Sequence, residues 1–426
     1  MKRLFTILPL LATAFASAQS SIDTLYVTRN QAETAFLQNN VQLLAEKLHI
    51  DIAEAKVIQA KVWPNPNLSI SEVNIWKNGS TEQLPALWGN YGRTQEITAG
   101  LEQLIITAGK RKKMIAMEKV GVQMANEYFK DFLSNLKIEF RNTLTALQYN
   151  QGVSTVYKKQ LGSMQKLIAA YKNQVTEGNM SRAEYIRLKA EELKFIKELN
   201  ELQLENNNLQ KELKRLMFLN PSTYVKIDND GFVPNIKAID NLNVATLTET
   251  AIANRPDVKY TKLAQEYSDK KYRYERALRT PNVTVDVSYD RAGNIMRDFV
   301  GIGFSVDLPF FDRNQGNIKA ARAEAGQSKL LAADKANTAS AQVVQAYSDL
   351  LSIKNMYEGL EDNYEGELDM LLDSYMKNFV QRNTSLLEYL DFVNAYLENK
   401  SILLTTQRNL NEHLEELRYM SGEELN

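Results

Sequence analysis

Glu388 and Asp391 stand three apart in Leu386-Leu387-Glu388-Tyr389-Leu390-Asp391, a spacing that puts both carboxylates on one helix face. Glu184, in Glu184-Tyr185, has a similar setting about 200 residues earlier. Taken alone, such acids read as a solvated surface. Little else in the chain suits catalysis. His49 and His413 are the only histidines and there is no cysteine, so the common soft metal ligands and nucleophiles are missing. Serines and aspartates are scattered without a triad motif. Gly301-x-Gly303 lacks the third glycine and following helix of a nucleotide loop. The Lys110-Arg111-Lys112-Lys113 run reads as the edge of a strand region or a solvated face, and the 12 methionines read as packing. An enzyme is not expected, nor is a cofactor or a bound metal. The 51 basic and 52 acidic residues leave no basic excess for nucleic acid.

The elements that must position these residues are set by proline. The nine prolines leave two gaps, one between Pro85 and Pro221 and one after Pro309. A helix-interior proline costs about 3 kcal/mol, so these tracts can hold very long helices. Phe129, Leu133, Leu136, Phe140, Leu144 and Leu147 recur at threes and fours, as do Tyr357, Leu360, Tyr364, Leu368, Leu371 and Tyr375. That is the narrow seam of a coiled coil. One helix is expected from about Lys110 to Lys172, turning near Gly178 and returning from Ser181 to about Phe218. A second is expected from about Ile318 to Phe379, turning near Gln381-Arg382-Asn383.

The chain also repeats itself. Glu33-Thr34-Ala35 matches Glu249-Thr250-Ala251, Pro66-Asn67 matches Pro281-Asn282, and Glu184-Tyr185 matches Glu388-Tyr389, always in the same order. Expected divisions are a first repeat over 19–220, a connector over 221–242, and a second repeat with the C-terminal tail over 243–426. Residues 1–18 read as a signal peptide: Lys2 and Arg3, an apolar run from Leu4 to Phe15, then Ala16-Ser17-Ala18 before Gln19. The lack of cysteine removes disulfides and a thioether-linked lipid anchor.

Between the helices lie strands. Val283, Val285, Val287 and Tyr289 alternate with Thr284, Asp286 and Ser288. After a turn at Gly293-Asn294, Val300, Ile302, Phe304, Val306 and Leu308 alternate with Gly301, Gly303, Ser305 and Asp307. A noisier hairpin spans about Asn67 to Ile75 and Gln95 to Ile105, with Trp88 and Tyr91 in its loop. Trp76, Phe299, Phe310 and Phe311 sit near strand ends, as interfacial aromatics do. Apolar-out, polar-in strands of this length fit a membrane barrel. Four strands cannot close one, so several copies are needed. The pattern alone does not choose how many. A secreted or periplasmic coiled-coil scaffold or adhesin accounts for the helices but not for the strands.

Gly303-Phe304-Ser305-Val306-Asp307-Leu308-Pro309-Phe310-Phe311-Asp312-Arg313-Asn314-Gln315-Gly316, with Gly100 to Leu104 and Thr107 to Arg111 as its first-half counterpart, resembles the TolC family of outer-membrane efflux proteins. The wording of that segment is nearest the CzcC and CusC cation-efflux branch. The resemblance implies an α+β membrane protein: a long helical barrel of coiled-coil hairpins, plus four transmembrane strands per chain that three chains close into a twelve-stranded barrel. It implies a homotrimer in the outer membrane with its helices in the periplasm, a periplasmic adaptor (membrane fusion protein), and an inner-membrane pump, usually of the RND class. It implies that Glu184, Glu388 and Asp391 line or latch the periplasmic entrance, where three copies of each acid repel, raise one another's pKa and attract cations. It further implies that the two turns, with Gly178, Asn179, Ser181 and Arg182 in one and Arg382, Asn383 and Ser385 in the other, dock the adaptor. Arg382 departs from the glycine the family often carries, which leaves the shape of that turn open.

Overall fold

The computed structural model describes residues 23–71, 73, 84–93, 95–177, 181–228, 231–291, 296, 298–359 and 364–423. The expected signal peptide, Gly178, Asn179, Trp76 and the Gly293-Asn294 turn lie outside these residues. In chain order the elements are β1 (Thr24–Val27), α1 (Arg29–Asn39), α2 (Val41–Lys61), β2 (Asn67–Ser71), β3 (Ile97–Ile105), α3 (Lys110–Thr176) and α4 (Arg182–Met217). There follow β4 (Tyr224–Ile227), α5 (Ile236–Ile239), α6 (Val244–Asn254), α7 (Pro256–Leu278), β5 (Val283–Arg291), β6 (Asp298–Val306), α8 (Gln315–Glu358), α9 (Tyr364–Val380) and α10 (Leu386–Ser421). No described helix is both long and apolar enough to cross a membrane.

The first proline-free tract gives one helix of 67 residues, as its composition predicts. Leu136, Phe140, Leu144 and Leu147 of its seam are all buried. In the second tract the described residues form α8 and α9, and 360–363 between them lie outside the described residues. Gly359, whose N–H still reaches the Asn355 carbonyl, follows the end of α8. Glycine weakens a helix by about 1 kcal/mol relative to alanine. Glu365 and Glu367 then fall in the first turn of α9, where the helix dipole favours acids. In α9 the buried line passes through Leu368, Leu372 and Phe379, whereas Leu371 is exposed.

The chain forms two units, each drawing on both sides of the connector. The first comprises the described parts of Met1–Asn40, Glu139–Pro234 and Asn355–Glu412. In it β1 pairs in parallel with β4, Thr24 to Val27 against Tyr224 to Ile227. Gln210 seals one side of that ribbon by donating to the Val225 carbonyl and accepting from the Val225 N–H. Phe36 stacks on Phe140 at 4.5 Å. A core from α3, α4, α9 and α10 centres on Leu188, Phe195, Leu390 and Val393.

The second unit comprises Val41–Ile138, Asn235–Lys354 and the described part of His413–Asn426. It carries a four-stranded antiparallel sheet in the order β2-β3-β5-β6. Its start is pinned to α3 through Asn282, which accepts from the Thr107 N–H and the Lys110 ammonium. Ala108 and Gly109, both left-handed at φ 53° and 66°, make the turn from β3 into α3. The basic run there is spent locally. Arg111 donates to the Lys61 carbonyl and lies over the Trp63 ring, and Lys113 donates to the Ala108 carbonyl. Buried Arg255 chelates Asp257 with both guanidinium arms, and Lys335 of α8 reaches the same carboxylate at 2.7 Å.

Candidate functional site

Two places in the molecule carry functional geometry, the helix turns of the first unit and the sheet of the second. The second turn, between α9 and α10, is closed from both sides. The Arg382 N–H donates to the Phe379 carbonyl and the Asn383 N–H to the Asn378 carbonyl, the paired bonds of a Schellman stop. Arg382 takes the left-handed conformation, φ 64°, that this stop requires. Its replacement of glycine therefore leaves the turn shape intact, at a cost on the order of 1–2 kcal/mol.

Three residues later the chain restarts as a helix on a capping box. Ser385 Oγ accepts from the Glu388 N–H, and Glu388 Oε2 accepts from both the N–H and the hydroxyl of Ser385. These bonds from the Ser385 backbone and side chain hold the Glu388 carboxyl below the usual carboxylate range. Crowding alone predicts the opposite direction. The Ser385-x-x-Glu388 spacing is the sequence signature of this capping box. Asp391, one turn on, is exposed, and among the described residues its carboxylate accepts no hydrogen bond.

The first turn is described from Ser181. Its Oγ accepts from the Ala183 N–H and caps α4, and Glu184 sits in the first helical turn. Ser181 and Arg182 are exposed and Glu184 is half-buried. Behind the two turns, and unforeseen in the sequence, is a ladder of rings. Tyr171 of α3 stacks on Phe379 of α9 at 5.6 Å, and Phe379 stacks on Tyr389 of α10 at 4.9 Å, with ring planes within 17°. Tyr375 and Phe392 form a second stack at 4.2 Å. Burial pushes the Tyr171 hydroxyl up to about 12; the charge of Glu184 adds to this and Arg382 opposes it. Residues of both turns thus act on one ring. No described contact joins Glu184, Glu388 and Asp391 to one another within the chain.

Away from the turns, the two hairpin helices are fastened by buried Lys400. Its ammonium meets Glu365 at 2.8 Å and Asp369 at 3.1 Å. Burial raises the Asp369 carboxyl, but hydrogen bonds from Tyr396 and Lys400 outweigh it and hold the group low.

In the sheet, register decides which residues share a face. Leu101, Val287 and Ile302 align across three strands, as do Gln103, Val285 and Phe304. With Leu68 and Ile70 of β2 they make one nearly continuous apolar face, on which Ile302 and Phe304 are 79% and 81% exposed. The other face aligns Glu102, Asp286 and Gly303, and beside them Gly100, Ser288 and Gly301. A methyl at Gly303 would sit 2.5 Å from Asp286 Oδ1, and one at Gly100 2.8 Å from Ser69 Oγ. Gly303 leaves room for the Asp286 carboxylate, and Gly301 for the Phe299 ring and the Ser288 hydroxyl. β3, β5 and β6 are nine residues each, the length a tilted strand needs to cross a bilayer. Among the described residues, β2 and β6 each have one unpaired edge.

Comparison with known proteins agrees with this geometry. Residues 247–423, from α6 to the end of α10, match the family described as outer membrane efflux protein. The chain is 22% identical to the cobalt-zinc-cadmium resistance protein CzcC of Cupriavidus metallidurans over 349 residues, 78% of this chain and 79% of that one. Its fold is similar to that of CusC, with a TM-score of 0.72, 18% identity and 94% of each chain covered. It is also similar to the CmeC outer membrane channel of Campylobacter jejuni, with a TM-score of 0.73 and 15% identity over 92% of this chain and 85% of that one. The match to the outer membrane efflux family thus covers residues 247–423, and the likeness of fold extends over 94% of the chain.

Proposed function

We propose that three copies of this chain form a passive duct across the outer membrane, fed through a periplasmic adaptor by an inner-membrane pump of the RND or another class. The observation that carries this reading is the sheet, with one apolar face, one polar and glycine-lined face, and two unpaired edges. Water is absent from the hydrocarbon core, so an open edge leaves peptide groups unsatisfied at several kcal/mol each. Joining β6 of one copy to β2 of the next removes every edge, and three copies give twelve strands with the polar face around the lumen. The helices stand in the periplasm. Each chain is two repeats of short helices, hairpin and long helices, at 19–220 and 243–426, with β4 and α5 in the connector at 221–242. Glu184, Glu388 and Asp391 surround the periplasmic entrance. Ser181, Arg182, Arg382, Asn383 and Ser385 dock the adaptor, with Gly178 and Asn179, and cysteines at Arg182 or Asn383 crosslink to it if they do. The likeness to CzcC supports metal cations as cargo, with drugs as the other class.

Charge placed on the two faces tests the reading. Val285→Lys and Phe304→Lys cost about 2–4 kcal/mol each if these side chains face lipid at mid-depth, and trimers fall in native mass spectrometry from mild detergent. Thr284→Lys and Ser305→Lys, facing the lumen, assemble normally. Equal loss from both faces, or a monomeric native protein, overturns the duct.

A further inference from the structure

The loop between β2 and β3 contains a small folded element at 84–93 whose position the duct does not require. It closes on itself: the Leu84 N–H donates to the Arg93 carbonyl, the Leu87 N–H to the Tyr91 carbonyl, and the Tyr91 N–H to the Trp88 carbonyl. Gly92, at φ 90°, lies so close to Leu87 that a methyl there would sit 2.8 Å from the Leu87 Cγ. At its tip Trp88 stacks on Tyr91, centroids 4.7 Å apart and planes within 17°, yet Trp88 is 67% exposed. An exposed, pre-stacked indole on a tightly built loop has given up its freedom without being buried.

Arg291 decides where this element lies. Side chains alternate faces along a strand, so Arg291 shares the apolar face of β5 with Val285, Val287 and Tyr289. It stands in the last row of that face, opposite Ile97 and Asp298, at the end remote from α3 and α8. Only 6% exposed, its guanidinium donates to the Gly92 and Pro85 carbonyls and to the Tyr289 hydroxyl. Tyr289 in turn donates to Asp298. The clip fastens the loop to the apolar side of the sheet, not to the polar side. Indole and phenol rings, apolar in body and polar at one edge, concentrate where hydrocarbon gives way to headgroups.

We propose that residues 84–93 are a membrane foot, locked by Arg291 at the end of the apolar face, which sets the Trp88–Tyr91 pair into the headgroup zone of the leaflet remote from the helices. This rests on the apolar face being the lipid face. The foot is continuous with that face, and it widens each protomer's grip on the leaflet beyond the strands.

Trp63 and Trp76 are the other two tryptophans, so Trp63→Phe with Trp76→Phe leaves Trp88 as the single reporter. The full protein is placed in phosphatidylcholine vesicles whose acyl chains carry bromine near the glycerol end or near the bilayer centre. Shallow bromine should remove most of the Trp88 emission, deep bromine little, and aqueous iodide less than it removes from free tryptophan. A second protein, Phe304→Trp with all three native tryptophans changed to phenylalanine, reports the lipid face and should respond to deep bromine. If that reporter is silent, the reading of the sheet fails. If it responds while Trp88 is quenched by iodide alone, only the foot is overturned. Adding Arg291→Gln to the Trp88 reporter should shift its quenching from shallow bromine to iodide while native mass spectrometry still finds the trimer. Unchanged shallow quenching in that variant overturns the role of the clip. If the variant fails to assemble, the Trp88 reporter with Arg291 intact decides.

Discussion

Phe379 is the middle ring of the ladder that holds the two helix turns together, and its removal gives the most direct measure of what the ladder does. The ring is 4% exposed, between Tyr171 and Tyr389. Phe379→Ala removes a buried aromatic and leaves a cavity, a loss of about 3–5 kcal/mol. Phe379→Leu restores most of the apolar volume but neither stack, and each stack contributes about 0.5–1.5 kcal/mol beyond burial. The leucine variant should therefore lose about 1–3 kcal/mol. These losses fall where α3, α9 and α10 meet, so they should appear as local opening. Hydrogen exchange read by mass spectrometry is the assay. A loss of 3 kcal/mol corresponds to roughly hundred-fold faster exchange in α9 and the first turns of α10, with amides of the β1–β4 ribbon unchanged. If the leucine variant exchanges like the native protein, stacking geometry is not what holds the turns. If the ribbon loosens equally, the ladder is not a local device and the reasoning fails.

Arg382→Gly should stabilise the second turn by roughly 0.5–1 kcal/mol, the relieved left-handed strain of about 1–2 kcal/mol less the greater chain entropy of glycine; Arg382→Ala keeps the strain. Equal exchange rates at the start of α10 in the two variants would show that the backbone conformation is not the cause. At the entrance, Glu388→Gln with Asp391→Asn should abolish cation preference and block by divalent cations in planar-bilayer recordings, with assembly intact. Unchanged selectivity would return both acids to a solvated helix face.

What the sequence disclosed and what it hid divide along a physical line. Periodicity and proline are local and additive, so the 67-residue helix, the alternating strands and the Phe129-to-Leu147 seam could be read directly. The strand register that aligns Val285 with Phe304 and Asp286 with Gly303 follows from alternation once pairing is known. The β3–β5 pairing joins residues nearly 190 positions apart and has no local signal. The Tyr171–Phe379–Tyr389 ladder is hidden for the same reason. Ser385-x-x-Glu388, by contrast, is a capping signature legible in the sequence itself.

The Ser385 cap changes how the acids of the proposed entrance divide their work. A carboxyl held below its ordinary value stabilises the fold fully above the unfolded pKa, about 4.3 for glutamate, and the contribution is lost as pH falls through the lower folded value. Glu388 is such a group, so at neutral pH it stays ionised with one oxygen engaged at the Ser385 cap. In the proposed trimer, crowding by two symmetry-related copies would push its pKa upward against that cap, and separation across the lumen would weaken the push, whereas the cap acts at 2.8 Å. Asp391 has no such partner among the described residues, so in the proposed duct its whole charge would face the lumen and any passing cation. The double variant therefore mixes two effects that single variants separate. Asp391→Asn alone should remove most of the cation preference and leave exchange at the start of α10 untouched. Glu388→Gln alone should speed exchange there, as acidification does in the native protein, while most of the selectivity remains. The reverse pattern would place the entrance charge on Glu388 and leave Asp391 an ordinary solvated acid.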